Sequence, residues 1–147
     1  MNFIFFFERD LKKLEEEINL YKKEEDLWKV VDGINNSGGN LALHLVGNLN
    51  QFIGKTLGNT DYVRDRDYEF SARNVSREEI IKGINNVSEV IKKTLSTLSE
   101  ADLEKQFSVK INNHSFTTEE MLLHLATHLS YHLGQINYHR RILSEEK

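Results

Sequence analysis

Not one proline interrupts the 147 residues of this chain. Proline deletes a helical hydrogen bond and clashes with the preceding turn, so a chain without it can carry long helices. The remaining breakers are glycines. The pair Gly38–Gly39, and Gly54 with Gly58, punctuate segments whose apolar residues recur at three- and four-residue steps. That pattern predicts an all-α protein.

The first segment, from about Phe3 to Trp28, places Phe3, Phe6 or Phe7, Leu11, Leu14, Ile18 and Tyr21 on one helical face. The connector "DGINNSGGN" leads to a second helix, "LALHLVGNLNQFIGKTL", with a stripe of Leu41, Leu45, Leu49, Phe52 and Ile53. "GNTDYVRDRDYEFSARN" has no sustained period and reads as a long ordered loop. Ser76 and Glu79 form a capping box for a third helix, which carries Ile80, Ile84, Val87, Ile91, Leu95 and Leu98. Phe107, Val109 and Ile111 alternate with polar residues before Asn112–Asn113, the pattern of a small hairpin. A second box, Thr117 with Glu120, opens a last helix from about Thr118 to Ser144. The expected architecture is a four-helix bundle with a short β-hairpin before the last helix, in a single domain over residues 1–147.

The composition, 39% hydrophobic and 29% charged, suits a chain that folds on its own. A formal charge of −4 with no basic cluster argues against nucleic-acid binding. The apolar run Phe3 to Phe7 meets Glu8, Arg9 and Asp10 too soon for a secretory signal, and no stretch is long enough to span a membrane, so the cytoplasm is the expected compartment. With no cysteine present, any transition-metal site must be built from histidine and carboxylate.

Histidine is where the sequence departs from an ordinary bundle. His128 and His132 stand four residues apart, so both can aim a ring nitrogen at one ion. His124 and His139 lengthen the same stripe beyond what one site needs. His44, beside the apolar stripe of the second helix, is the best third ligand, because an imidazole buried there otherwise lacks a reason. Three protein ligands with one open position is the arrangement of a catalytic site. The plain alternative is a core whose histidines are satisfied by carbonyls or carboxylates.

"THLSYHLGQI" resembles the signature of the DinB-like superfamily of metal-binding four-helix proteins, matched here by His128, His132, Gly134 and Gln135. "LHLVGNLNQF" is similar to that superfamily's second-helix motif at His44, Gly47 and Asn48, and "RDRDYEF", Arg64 to Phe70, to the charged loop of one branch. The resemblance spans most of the chain. It implies a bundle holding a divalent ion, often Zn, Ni or Fe, on three histidines, and frequently a homodimer. It does not imply one reaction: some relatives are thiol-dependent transferases, others isomerases or hydrolases, and many have no assigned activity.

Around the expected ligands, His124 either lines the pocket or donates a hydrogen bond behind them, and Asn48 and Gln135 are candidates for the same supporting or substrate-binding roles. Arg64 or Arg66 offers a fork to an anionic substrate, or else joins exposed salt bridges. Glu69 is a base or an acceptor behind a ligand. His139 is expected at the surface or on a dimer face, and His114 in solvent. Two functions follow: a metal-dependent transferase joining a small thiol to an electrophile, or a metal-binding, stress-associated bundle without turnover.

Overall fold

In the computed structural model, which describes residues 1–144, helix α1 spans Phe3–Leu20. Residues 145–147 of the expected domain lie outside the described residues. Phe3, Phe7, Leu11, Leu14 and Ile18 form its buried face, while Phe5 and Phe6 stay exposed. The helix ends earlier than its expected limit at Trp28. After Tyr21 the run Lys22–Glu25 offers no apolar residue to continue the stripe, so the chain turns through a 3-10 segment, Glu24–Trp28, that buries Leu27 and Trp28. Arg77 caps the abandoned carbonyls, donating to Ile18 at 3.2 Å, Asn19 at 2.8 Å and Tyr21 at 2.6 Å.

Helix α2 (Gly38–Leu49) starts at Ser37, whose hydroxyl accepts from the Asn40 N–H, and runs on as a π-helical turn, Asn50–Lys55. Gly38 and Gly39 therefore lie inside the helix and not in the connector. They are needed for close approach: a Cβ on Gly38 would collide with the Tyr21 hydroxyl, and one on Gly39 would sit 2.9 Å from both the Leu27 carbonyl oxygen and the Trp28 ring. The following loop is not wholly irregular, because Asp65 caps a short helix α3 (Arg66–Ser71) through the Tyr68 N–H. Helix α4 (Arg77–Leu95) buries Ile80, Ile84, Val87, Ile91 and Leu95, with Leu98 half-buried just past its end. A further short helix, α5 (Glu100–Glu104), opens on a Ser99/Asp102 capping box.

The expected β-hairpin is not formed: no strand occurs among the described residues, and the segment makes only isolated bridges, Gln106 with Thr117 and Ile111 with His114. Asn112 and Asn113 do take positive φ, 50° and 64°, as a tight hairpin turn requires. The arms fail to zip because Phe107 is buried but Val109 is exposed, so there is no continuous apolar face to pin a ladder. The last helix, α6 (Thr118–Ser144), starts where expected and is helical to the last described residue, and both bonds of the Thr117/Glu120 box are present.

α1 and α2 each pack against α4 and α6, and α3 lies on α2. The four long helices enclose one apolar cluster, with Phe7, Leu14, Leu45, Leu49, Ile84, Ile91 and Met121 fully buried. Each such side chain contributes about 1.5–3 kcal/mol by leaving water. No helix among the described residues is long and apolar enough to cross a membrane.

Candidate metal centre

α2 and α6 run antiparallel, since Gly38 near the start of α2 meets His139 late in α6, while His44 meets His128 and His132 earlier in α6. The close approach at Gly38 fixes this register. The ring centroids lie 5.1 Å apart for His44 and His128, 5.3 Å for His44 and His132, and 4.6 Å for His128 and His132. The rings are nearly perpendicular to one another, at 76°, 86° and 89°. One nitrogen from each lies within 4.8 Å of the other two, so the three histidines can hold a metal ion.

Hydrogen bonds decide which nitrogen is available. His44 Nδ1 lies 3.1 Å from Glu69 Oε1 and 3.4 Å from Arg64 Nη2; the shorter contact, to a carboxylate that only accepts, draws the proton of the neutral ring to Nδ1 and leaves the lone pair on Nε2. His132 Nδ1 donates to Gln135 Oε1 at 2.6 Å, with the same result. His44 Nε2 and His128 Nε2 are 3.3 Å apart. That is the spacing of two nitrogens each bound about 2.0–2.1 Å from a tetrahedral ion. Burial, then the neighbouring His132 and His44, push the His128 pKa down to about 4. Burial also lowers His132, partly offset by Gln135. Neutral imidazoles are the form that ligates.

Behind His44 stands an ion pair. Arg64 grips Glu69 bidentately, Nε to Oε2 and Nη2 to Oε1, each at 2.9 Å. Burial alone would raise the Glu69 carboxyl, but hydrogen bonds from His44 and Arg64 and the Arg64 charge hold it below its ordinary value. Glu69 is thus an acceptor behind a ligand, and the Arg64 fork is turned onto it, not toward a substrate. Gly47 makes the approach possible, because a Cβ there would collide with Glu69 Oε2. The Phe70 ring covers His44 at 4.8 Å, and burial next to Glu69 raises the Tyr62 pKa. The sequence singled out Phe70 only as the end of the RDRDYEF match and did not single out Tyr62; both sit in a stretch without period.

The other candidates separate. Gln135 supports His132, and Asn48 is buried one turn beyond His44 with its Oδ1 unpartnered among the described residues. Arg66 is exposed, its guanidinium 5.1 Å from the centre of the Phe70 ring. His124 does not join the cluster: it is exposed and stacks on Phe116 at 5.5 Å, and His114, also exposed, lies over the same ring at 4.6 Å.

His139 corrects the expectation of a surface residue. It is 3% exposed, its Nε2 donates to the Lys29 carbonyl at 2.8 Å, and its Nδ1 accepts from the Tyr21 hydroxyl at 2.6 Å and the Gly38 N–H at 3.3 Å. Its flanking arginines misled the sequence reading. Arg140 is itself buried, paired with Glu17 at 2.6 Å.

A helical bundle with three imidazoles converging between two facing helices defines a candidate metal-binding protein. The chain belongs to the family described as protein of unknown function DUF1572, whose model matches residues 4–147. A comparison with curated proteins finds no match.

Proposed function

We propose that this is a DinB-like metal protein in which His44, His128 and His132 hold one divalent transition ion, Zn, Ni or Fe, and that it transfers a low-molecular-weight thiol to a small electrophile. The observation that carries the metal site is the convergence of three ring nitrogens, two of them with their proton drawn to the far side by Glu69 and Gln135. An ion there supplies Lewis acidity and lowers the pKa of a thiol or water that it holds.

Charge balance supports an anionic substrate. The carboxylate beside the ligands, Glu69, is paired with Arg64, and imidazole ligates in its neutral form, so the charge of an ion held there would be left for an incoming thiolate. Arg66 over Phe70 and the exposed Tyr131 beside His132 would receive the rest of the substrate. In the transfer, sulfur bonds to the electrophilic carbon, the thiol proton passes to water, and the displaced group leaves with the bonding electron pair. The same reading takes the protein as a homodimer, supported by exposed Phe5 and Phe6 on α1 and Tyr138 and Ile142 on α6.

A bundle that binds metal without turnover is the second reading, favoured by the closure of Arg64 onto Glu69, which turns neither group toward a substrate. Untagged protein, loaded in turn with each of the three metals, is assayed for conjugation of glutathione and of cysteine to a chloronitrobenzene. Metal-dependent conjugation that is lost in His128→Ala supports the transferase. About one equivalent of bound metal with no conjugation above the uncatalysed rate selects the second reading.

A further inference from the structure

Of the three histidines, His128 alone lacks the arrangement that ligation through Nε2 requires. His44 and His132 each have Nδ1–H donating to an oxygen, on Glu69 and Gln135. His128 Nδ1 is buried with no partner among the described residues, while its Nε2 faces His44 Nε2 at 3.3 Å. In a neutral His44 ring whose Nδ1–H points to Glu69 at 3.1 Å, Nε2 can only accept. The His128 proton therefore sits on Nε2 and donates to His44. In that tautomer His128 has no lone pair at Nε2 for an ion.

Moving the proton to Nδ1 frees Nε2, but it creates a buried N–H that needs an acceptor. A second orphan lies at the same level of the bundle. Asn48 follows His44 by one turn of α2, is 8% exposed, and has a buried Oδ1 without a partner among the described residues. The antiparallel register sets it against α6 at the level of His128 or the turn preceding it, since Gly38 lies opposite His139 and His44 opposite His132 and His128.

We infer that Asn48 is a positioning residue for the metal centre: its Oδ1 accepts from His128 Nδ1–H, directly or through one water, when an ion is held at Nε2. The inference rests on the metal-site reading above and adds a tautomer change to it. His128 carries its proton on Nε2 in the metal-free protein and on Nδ1 in the loaded one. All three ligands are then backed by side-chain oxygens, from Glu69, Gln135 and Asn48.

The test uses zinc and histidine-selective nitrogen NMR on the full chain, with zinc affinity measured by competition against a chromophoric chelator. Wild type is expected to show the His128 Nε2–H tautomer without zinc, and a slowly exchanging, hydrogen-bonded Nδ1–H with it. Asn48→Ala is expected to weaken zinc binding by about 10–100-fold and to speed exchange of that proton. Asn48→Asp, an acceptor of the same size, is expected to restore binding and to shift the proton further downfield.

Zinc affinity in Asn48→Ala within about twofold of wild type, with the Nδ1–H signal unmoved, overturns the role of Asn48 and leaves the metal site standing. A loaded wild-type His128 whose Nδ1–H exchanges at the solvent rate does the same, and needs no variant to fold. An Asn48→Asp protein that is folded but as weak as Asn48→Ala assigns the effect to packing and also overturns it. Wild type that takes up no zinc removes the metal site itself, and this inference with it.

Discussion

Helix α6 carries two buried or half-buried histidine environments on one stripe, and they differ in a single respect: whether the ring nitrogens are satisfied. At His139 both are, by the Lys29 carbonyl on one side and by Tyr21 and Gly38 on the other. Two and three turns earlier, His132 and His128 meet His44 with nitrogens turned toward each other, and His128 Nδ1 has no partner among the described residues. The first is a latch that ties together the end of α1, the 3-10 turn, the start of α2 and α6. The second has ligand atoms to spare. Helical spacing brings the histidines onto a shared face, but saturation by partners separates a structural imidazole from a ligating one.

The sharpest way to break the comparison is to remove one histidine from each environment. His128→Ala or His132→Ala is expected to abolish metal uptake, whereas His139→Ala keeps about one equivalent, measured by plasma mass spectrometry on untagged protein. Equal loss in all three would erase the distinction. Stability should respond in the opposite sense. His139→Ala takes the ring partner from the Lys29 carbonyl and the buried Gly38 N–H and leaves the Tyr21 hydroxyl only the Ile136 carbonyl at 3.4 Å, so urea unfolding should report a loss of about 2–4 kcal/mol.

Smaller effects sharpen the contrast. Glu69→Gln keeps an acceptor but removes the charge behind His44 and leaves Arg64 unneutralised, so metal affinity should fall by about 10–100-fold with stoichiometry unchanged. Acid should weaken the metal-free protein through His128. Its folded pKa is about 4, and in the unfolded chain it returns to about 6.5, so the unfolded state binds the proton first. The His128 contribution is full above about pH 6.5, declines as pH falls, and levels off below about 4. Urea midpoints across that range should be flatter in His128→Ala. At the bottom of the scale, His124→Ala should leave metal affinity within about twofold, because that ring stacks on Phe116 outside the cluster.

Local rules made much of this legible in advance. The start of the last helix could be placed because the Thr117/Glu120 box and the apolar stripe are written in neighbouring residues. His44, His128 and His132 were selectable because α-helical period and the rarity of buried imidazole both operate within a few residues of each. The errors have a common origin. The carbonyls left open where α1 ends are capped by Arg77, more than fifty residues away, and Gly38–Gly39 sit inside α2 at the point where Tyr21 and Trp28 pack closely against it. The hairpin turn at Asn112–Asn113 was visible, but its arms needed a facing surface that the fold does not supply.

The sequence by itself therefore determined the helical class, the start of α6 and the identity of the three converging histidines, since period and capping are short-range properties of the chain. Only the tertiary structure decided that Glu69 with Arg64 stands behind His44, that His124 lies outside and that His139 is a buried latch. Those outcomes depend on which helix faces which, and at what register, and no window of neighbouring residues encodes that.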